Sequence, residues 1–341
     1  MLKNKVVLIT GGTGSLGKTL VRRLMKGELG NPKKIIIFSR DEAKQHEMKV
    51  EWKHLQTATD EIFFGNYEEI LDFRIGDIRD YESVVDSFRK ANIVINAAAL
   101  KQVPVCEYFP FEAVKTNIIG AINIVRAIKE NTNNIELVVD ISTDKACKPI
   151  NTYGMTKAIQ ERIILEANYS CKQTRFVCVR YGNVMGSRGS VIPLFQTQIN
   201  NGGPITITTK KMTRFMMSLD QAVDTIFQTM TNSNPGETYI PLVQSALITD
   251  LVDVMIGNRN IKIKVIGIRP GEKIHEILIS EEEIYRTTKR NDYYVIHSIL
   301  PEISKEKIGK PVLPDEFSSR SNVMQKDELK YLLEKEGHLN F

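Results

Sequence analysis

An apolar run followed at once by a glycine-rich turn constrains the fold of this chain more than any other feature. The run from Lys5 to Ile9 predicts a buried strand, and the turn after it reads Thr10-Gly11-Gly12-Thr13-Gly14-Ser15-Leu16-Gly17 before a helical pattern begins. Glycines spaced in this way permit a tight turn, close approach of the backbone to a pyrophosphate, and close packing of helix on sheet. We therefore expect a dinucleotide-binding βα unit. The residues predicted to contact the dinucleotide here are Gly11, Thr13, Gly14, Ser15 and Leu16.

Further strands and helices alternate along the first half of the chain. The other predicted strands are residues 34–38, 71–75, 93–96, 137–141 and 176–179. This alternation predicts an α/β fold with a Rossmann-type doubly wound parallel sheet. We expect residues 1–182 to form the dinucleotide-binding domain that carries the catalytic residues. Residues 183–341 are expected to form mainly a smaller C-terminal substrate-binding lobe, with some segments returning to the first domain.

Composition argues against several classes of partner. The 341 residues are 42% hydrophobic and carry a net charge of +5 without a long block of like charges, so nucleic acid is not expected to bind. The four cysteines form no C-x-x-C pair and have no histidine at metal-ligand spacing, which predicts a reduced, cytoplasmic protein without a metal site. No apolar run reaches the length of a membrane span, so no membrane partner is expected.

Residues at the carboxyl ends of the predicted strands indicate which dinucleotide binds. The second strand ends in Ser39 and Arg40, where an NAD enzyme would carry an acidic residue for the ribose diol. An arginine there can hold a 2′-phosphate, which favours NADP(H), although a surface ion pair of Arg40 with Asp41 or Glu42 is a competing interpretation. Further predicted cofactor contacts are Asp77 and Ile78 at the adenine edge, and Ala97, Ala98 and Ala99, whose small side chains admit a flat ring.

Two pairs of polar residues after the fifth strand indicate the chemistry. Tyr153 and Lys157 are four residues apart, so on a helix they share a face, and the ammonium group could favour the phenolate. Such a pair suits redox chemistry on an alcohol. Asp144 and Lys145 add a second pair for proton transfer, which a simple dehydrogenase does not need. Asp144 could instead cap the next helix, but Asn151 is closer to the start of that helix.

The second half of the chain holds a candidate anion site. Arg188, Arg214 and Arg269 lie in loops with glycine or proline, and guanidinium groups match phosphate oxygens well. Together they favour a substrate with a diphosphate, although each arginine alone could be a structural ion pair. Two features have no predicted chemical role. One is the charged stretch 42–70 with Trp52, for which packing or a subunit contact is the default, and the other is Asn117, a helix kink or a satisfied core amide.

With these residues assembled, the chain resembles the extended short-chain dehydrogenase/reductases, and more narrowly the inverting UDP-N-acetylglucosamine (UDP-GlcNAc) 4,6-dehydratases that open the pseudaminic acid pathway. The resemblance runs from about Lys5 to beyond Glu276. Some relatives carry methionine at the position of Tyr153, so the tyrosine supports the pseudaminic-type branch. The stretch between about 56 and 70 departs from the family pattern. The matching segments are residues 10–15, 38–42, 97–101, 142–146, 151–157, 180–184, 212–215 and 268–273.

The resemblance implies a mechanism for these residues. Tyr153, assisted by Lys157, takes the C4 hydroxyl proton as the sugar is oxidised at C4, and Thr143 donates a hydrogen bond to the C4 oxygen. Lys145 then removes the C5 proton as a neutral amine, which requires a lowered pKa, while Asp144 protonates the leaving C6 hydroxyl. The product is a 4-keto-6-deoxy sugar nucleotide, inverted at C5 if reprotonation comes from the opposite face. NADP(H) is tightly bound and recycled.

The resemblance also implies ligands and partners. A nucleotide sugar is the expected substrate, made into a precursor of surface glycans or nonulosonic acids, and the chain is expected to form a homo-oligomer of at least two subunits through two helices from each. Lys101 is expected to contact both cofactor and substrate, and Tyr153 and Lys157 to contact the cofactor as well. The residues expected to bind the substrate are Lys101, Asn183, Arg188, Arg214, Arg269 and Glu272.

Several alternatives stay open at this point. A nucleotide-sugar 4-epimerase or reductase would need Tyr153 and Lys157 but would have no use for Asp144 and Lys145. A non-catalytic NADP-binding regulator would be expected to lose some of these residues, yet all are present. A retaining dehydratase of the legionaminic or capsule type is a further alternative. The residues do not decide between UDP, GDP and dTDP, or between inversion and retention at C5.

Overall fold

The glycine turn follows a strand in the interior of a large central sheet. The computed structural model describes residues 1–58, 67–131, 134–187, 189–304, 306 and 309–339. The strands are, in chain order, β1 (Val6–Thr10), β2 (Lys34–Ser39), β3 (Leu71–Ile75), β4 (Ile93–Asn96), β5 (Leu137–Ile141), β6 (Arg175–Val179), β7 (Ile205–Ile207), β8 (Thr213–Phe215), β9 (Thr238–Pro241), β10 (Ser245–Leu247), β11 (Ile263–Val265), β12 (Ile277–Ile279), β13 (Thr287–Arg290), β14 (Tyr293–Ile296) and β15 (Phe317–Ser318).

Helices connect these strands. They are, in chain order, α1 (Ser15–Met25), α2 (Glu42–Ala58), α3 (Tyr67–Ile70), α4 (Tyr81–Phe88), α5 (Val103–Tyr108), α6 (Pro110–Ala113), α7 (Gly120–Asn131), α8 (Thr152–Ser170), α9 (Val191–Asn200), α10 (Leu219–Asn232), α11 (Ile248–Ile256), α12 (Glu281–Ile284) and α13 (Lys326–Lys335). A π-helical turn, Val114–Ile119, leads into α7, and a 3₁₀ turn, Asp144–Ala146, follows β5. In the described part of the chain, no helix combines the length and the apolarity that crossing a bilayer requires.

The central sheet confirms the predicted Rossmann-type doubly wound arrangement. All six predicted strands form and lie in the order β6-β5-β4-β1-β2-β3, and every neighbouring pair among them is parallel. Beyond β6 the sheet continues with β9, which is parallel, and then with the antiparallel hairpin β14-β13. These last strands come from the second half of the chain, and a division into domains after residue 182 stays a prediction.

Apolar side chains cover both faces of the sheet, as double winding requires. One face carries Leu20 of α1 and Phe227 of α10, and the opposite face carries Phe88 of α4 and Ile164 of α8. Trp52 of α2 belongs to the first of these cores and is 3% exposed, so packing explains it. The apolar patch at 62–64, in the stretch that departs from the family pattern, lies outside the described residues.

A third apolar core forms the smaller C-terminal lobe. Phe195 of α9, Leu251 of α11 and Leu329 of α13 pack together in it, with β7 and the start of α11 nearby. The lobe contains two of the short sheets, β7 with β11 and β8 with β10. Residues of the lobe, among them Ile207 and Arg214, line the same cavity as residues at the carboxyl ends of the parallel strands.

Asn117 has both features that the sequence suggested for it, an irregularity in the helix and a buried side-chain amide with its hydrogen bonds satisfied. It lies in the π-helical turn, which interrupts the helix before α7, and it is 1% exposed. Its Oδ1 accepts the Leu100 amide at 2.9 Å, and its Nδ2 donates to the Leu100 carbonyl at 3.0 Å and to Thr156 Oγ1 at 3.0 Å. This amide therefore holds the segment after β4 against α8.

A buried arginine, Arg180, connects α8 to the second half of the chain. Arg180, at the end of β6, pairs with Glu161 of α8 at 2.7 Å and with Glu283 of α12 at 2.7 Å. It also donates to the Leu278 carbonyl at 2.9 Å. Removing one member of such a buried cluster typically costs about 3–5 kcal/mol, because the remaining charges lose their partner. The cluster thus holds β6, α8 and α12 in one arrangement.

Candidate active site

A cavity of about 790 Å³ lies where the carboxyl ends of the parallel strands meet the smaller lobe. Ligands of open parallel sheets bind at this end. Arg188, one of the predicted substrate contacts, lies outside the described residues. The structure brings all other predicted site residues to the wall of this cavity, namely Gly11, Thr13, Gly14, Ser15, Leu16, Ser39, Arg40, Asp77, Ile78, Ala97, Ala98, Ala99, Lys101, Thr143, Asp144, Lys145, Tyr153, Lys157, Asn183, Arg214, Arg269 and Glu272.

The glycine turn provides a cradle that fits a dinucleotide. Gly11 has a φ of +65°, and a Cβ there would lie 2.9 Å from the Ala97 carbonyl oxygen, so only glycine suits the position. Gly14 precedes α1 and caps it without a side chain. A Cβ on Gly14 would contact only the Gly11 carbonyl oxygen, at 3.4 Å. The space beside Gly14 is therefore open, and the helix N-terminus that faces it suits a pyrophosphate.

Arg40, the residue predicted to contact a 2′-phosphate, follows the end of β2. Arg40 is largely exposed, with its Nη1 3.8 Å from Asp77 Oδ2, and Asp41 pairs with Lys44. Burial alone would raise the pKa of Asp77, but hydrogen bonds from Arg79 lower it, so Asp77 stays anionic. Lys44 also lines the cavity, and the sequence argument did not include it.

Tyr153 and Lys157 lie in the first two turns of α8, and both are buried. Asn151 caps this helix, since its Oδ1 accepts the Gly154 amide at 2.7 Å, which confirms that Asp144 is not the cap. Gly154 allows the turn after β5, which carries Lys145, to lie close to α8, which carries Tyr153. A Cβ on it would lie 2.2 Å from the Lys145 carbonyl oxygen, so no other residue would let the turn after β5 approach α8 so closely.

The charge on Lys157 does not act as the sequence suggested. Its Nζ donates to the Ile141 carbonyl at 2.7 Å and lies 4.0 Å from Asp140 Oδ2. Burial raises the pKa of Tyr153 to about 12, although Lys145 and a hydrogen bond with Thr143 act in the opposite direction. The prediction that Lys157 brings the phenol pKa toward neutrality is therefore wrong for this structure, because the ammonium group points toward β5.

Asp140 was missed by the sequence argument and lies directly beneath Lys157. It is fully buried in β5, and its Oδ1 accepts hydrogen bonds at 2.6 Å from Asn96 Nδ2 and at 2.6 Å from Gln160 Nε2. Asn96 in turn accepts from Thr10 Oγ1 at 2.6 Å. A charged residue inside an apolar strand requires a buried partner, so its presence in 137–141 was a signal that could have predicted this network.

Asp144 and Lys145 form a cluster with a third charged residue, Glu276. Lys145 Nζ is 3.0 Å from Asp144 Oδ1 and 3.3 Å from Glu276 Oε1, and Thr143 Oγ1 donates to Asp144 Oδ1 at 2.9 Å. Burial raises the pKa of Asp144, which suits an acid. Burial alone would lower the pKa of Lys145, but the carboxylates of Asp144 and Glu276 raise it instead. The lowered pKa that the sequence-based mechanism requires is therefore not found here.

The opposite wall of the cavity carries the residues predicted to bind the substrate. Asn183 Oδ1 is buried and has no hydrogen-bond partner among the described residues, so it is available to a ligand. Arg269 is exposed at the mouth of the cavity. Glu272 Oε2 accepts from Thr208 at 3.0 Å. Arg214 is 7% exposed and donates to three backbone carbonyls, those of residues 213, 273 and 274, so much of its capacity is used within the protein.

The open space beside Gly14 leads to a prediction. In Gly14→Ala, the new methyl group fits the fold but occupies the approach of the pyrophosphate, so dinucleotide affinity is expected to fall about tenfold or more with little change in thermal stability. Calorimetric titration with NADP⁺ and a thermal melt measure the two effects. Gly17→Ala is the contrasting control, because its Cβ would lie 2.3 Å from the Gly12 carbonyl oxygen and should destabilise the fold itself. Wild-type affinity in Gly14→Ala would contradict the proposed approach.

Comparison with known proteins agrees with this arrangement. The model of a family described as "Polysaccharide biosynthesis protein" matches residues 7–298. The chain is 42% identical to the UDP-N-acetylglucosamine 4,6-dehydratase (inverting) of Campylobacter jejuni subsp. jejuni serotype O:23/36, over 90% of this chain and 86% of the relative. It is 40% identical to the UDP-glucose 4-epimerase of Rickettsia akari, over 87% of this chain and 84% of the relative.

A solved structure extends the similarity to the whole length. The X-ray structure of Pen from Bacillus thuringiensis is 38% identical in sequence, covers 99% of both chains and superposes with a TM-score of 0.88. The family match covers most of the chain, and the parallel sheet with its glycine turn is the sheet that the sequence predicted. The chain therefore belongs to the polysaccharide biosynthesis protein family, among the extended short-chain dehydrogenase/reductase enzymes.

Proposed function

We propose that the chain is an NADP-dependent 4,6-dehydratase that converts UDP-GlcNAc to a 4-keto-6-deoxy sugar nucleotide with inversion at C5, for nonulosonic acid synthesis of the pseudaminic type. The observation that carries the proposal is the Asp144-Lys145 pair, which lies in the same cavity as Tyr153. A dehydration needs an acid for the leaving hydroxyl and a base for the adjacent carbon, in addition to an alcohol oxidation site. The similar Campylobacter protein bears the name of this activity.

In the proposed reaction, side chains of the protein bind the ligands and transfer protons. A bound nicotinamide dinucleotide supplies a reversible two-electron oxidation of the sugar, first at C4 and in the reverse sense at C6. Tyr153 Oη holds the proton that leaves the C4 hydroxyl. Thr143 hydrogen-bonds to Tyr153, and Lys145 is the nearby cation that favours the phenolate. Because burial keeps the phenol pKa near 12, Tyr153 must give up its proton as the substrate binds.

Dehydration follows at C5 and C6. Asp144 is the acid, because burial raises its pKa and its Oδ2 has no partner among the described residues. Its proton goes to the C6 hydroxyl, which leaves as water. Lys145 is the base that removes the C5 proton, and the 4-ketone stabilises the electron pair that remains. Reprotonation of C5 from the opposite face gives inversion.

A similar protein named as a 4-epimerase makes epimerisation the second candidate. An epimerase moves hydride at C4 alone and therefore needs Tyr153 and the cofactor. It has no step that uses a buried acid and a lysine near C5 and C6. The distance of 3.0 Å between Asp144 Oδ1 and Lys145 Nζ, inside the cavity, favours dehydration.

Incubation with UDP-GlcNAc in deuterated water, without added cofactor, tests the function. We expect a 4-keto-6-deoxy product with solvent deuterium at C5, detected by NMR and mass spectrometry, and its ring couplings should show inversion. Asp144→Asn should lose dehydration by about 10²-fold or more, because it has no proton to donate. Recovery of the C4 epimer without loss of water would contradict the proposal and support the epimerase.

The identity of the cofactor is a separate prediction. Arg40 and Lys44 are expected to hold a 2′-phosphate, so the nucleotide released from the purified protein by denaturation should be NADP(H). Arg40→Ala should weaken NADP⁺ binding about tenfold or more, since a charge-assisted hydrogen bond is lost. Its affinity for NAD⁺, which lacks the phosphate, is the matched control and should not change. Release of NAD(H) would contradict the prediction.

We also propose that a second copy of the chain covers an exposed apolar surface on the helix pair α7 and α8. Ile122 in α7, Met155 and Ile159 in α8, and Ile119 in the π-helical turn just before α7 are each 38–50% exposed, and exposed apolar side chains on neighbouring elements mark interaction sites. Light scattering should show at least a dimer. Ile122→Glu together with Ile159→Glu should give monomers, whereas Val312→Glu, at an exposed site elsewhere, should not. A monomeric wild-type protein would contradict this proposal.

A further inference from the structure

One carboxylate in the wall of the cavity has no part in the function proposed above. Glu276 lies just before β12 and is only 2% exposed. Its Oε1 is 3.3 Å from Lys145 Nζ. Its Oε2 is buried and has no hydrogen-bond partner among the described residues, and the residue lines the cavity. A buried carboxylate oxygen without a partner is costly, so it calls for an explanation in terms of function.

The surroundings of Glu276 hold it in place beside Lys145. Its backbone amide donates to Ser319 Oγ at 3.0 Å, and its carbonyl accepts the Ser319 amide at 2.8 Å. Arg214, which is itself fixed by backbone carbonyls, has its Nε 3.8 Å from Glu276 Oε1. The charged or titratable groups that face the Lys145-Glu276 pair are Asp144 from the turn after β5, Tyr153 from α8, Arg214 from β8 and Lys273 from the loop before β12.

This arrangement creates a difficulty for the proposed base. Lys145 lies between the carboxyl groups of Asp144 and Glu276 and is held as an ammonium ion, which cannot remove a proton from C5. Its proton has to leave before the amine can act. In the proposed reaction Asp144 already carries the proton that it gives to the C6 hydroxyl, so Asp144 cannot also take the proton of Lys145. Glu276 is the other carboxylate within 4 Å of Lys145 Nζ in the described part of the chain.

We propose that Glu276 is the proton acceptor for Lys145, so that the amine becomes available as the C5 base in the dehydration on which this inference rests. A proton moves from Nζ to the Glu276 carboxylate, and the ion pair becomes a neutral amine beside a neutral carboxylic acid. The amine then forms an N–H bond with the C5 hydrogen, and the electron pair of the C5–H bond moves into the 4-ketone as an enolate. Because C5 is reprotonated from the opposite face, Lys145 keeps the proton that it took from C5. Asp144 has given its own proton to the leaving hydroxyl, so Lys145 passes a proton to the Asp144 carboxylate and takes one from Glu276, and the original protonation states are restored.

If Glu276 accepts the proton of Lys145, its removal changes how the reaction rate depends on pH, and a purely structural role would not have this effect. The charged pair and the neutral pair hold the same number of protons, so the transfer from Lys145 to Glu276 adds no pH dependence to the wild-type reaction. Without the carboxylate, Lys145 must lose its proton to solvent. The fraction of amine then rises tenfold with each pH unit until the pH reaches the ammonium pKa.

Glu276→Gln tests the proposal, because the amide keeps the size of the carboxyl group and one acceptor oxygen but does not accept the proton. We expect kcat for dehydration of UDP-GlcNAc at pH 7 to fall about 10²-fold or more, with KM changed much less. As the pH is raised, the ratio of the variant's kcat to that of the wild type should recover about tenfold per unit, because any pH dependence from Tyr153 or Asp144 is common to both proteins. Glu276→Asp should restore part of the activity at pH 7.

Controls separate the possible outcomes. Glu281→Gln removes one negative charge at an exposed site nearby and should leave kcat and its pH profile unchanged. Bound NADP(H) and the thermal melt report whether each variant is folded, and Glu276→Asp serves if Glu276→Gln does not fold. Unchanged kcat in Glu276→Gln, or an equal loss at every pH, would overturn the role of Glu276. Wild-type protein that does not dehydrate UDP-GlcNAc would instead overturn the proposed function, and this inference with it.

Discussion

The burial of charge at the carboxyl end of β5 is the constraint on which the active site depends. Asp140 lies inside the strand, 4.0 Å from Lys157 Nζ. Asp144 and Lys145 follow the strand, and Lys145 Nζ is 3.0 Å from Asp144 Oδ1 and 3.3 Å from Glu276 Oε1. A charged side chain that is removed from water is tolerated only when an opposite charge or a hydrogen bond compensates it. Another part of the chain therefore has to supply a partner for each of these groups. The pairing therefore joins β5 to α8 and to the segment before β12, and the interactions that bring the site together also stabilise it.

The same proximity decides which groups carry protons. In sequence, Lys145 is simply a lysine next to an aspartate, and a lowered pKa was a reasonable requirement for a base. In the fold, Glu276 approaches from more than a hundred residues away and the pKa of Lys145 rises. Burial likewise holds the Tyr153 phenol in its neutral form. The site thus holds an ammonium ion, a neutral phenol and a buried acid, and the reaction proposed for it has to begin with a proton shift.

Much of the fold and of the candidate site could be predicted because local patterns encode them. A glycine turn like the one around Gly11, placed after a buried strand, commonly binds a dinucleotide. Parallel strands end at the same edge of the sheet, so residues as far apart in sequence as Gly11 and Asn183 line one cavity. Two other features could not be predicted. Glu276 is one acidic residue among many, so the sequence does not mark it as a site residue. Arg214 was predicted at the site, but its hydrogen bonds to backbone carbonyls depend on tertiary packing, which residue spacing does not show.

The sequence by itself determined the doubly wound sheet, the dinucleotide turn and the identity of the groups that can transfer protons, because strand and helix periods, glycine positions and residue chemistry are local properties. Only the tertiary structure decided which charged side chains lie next to each other. It turned Lys157 toward Asp140 and the Ile141 carbonyl, and it placed Glu276 beside Lys145. Electrostatic interactions act through distances across the fold, and a one-dimensional chain does not record those distances.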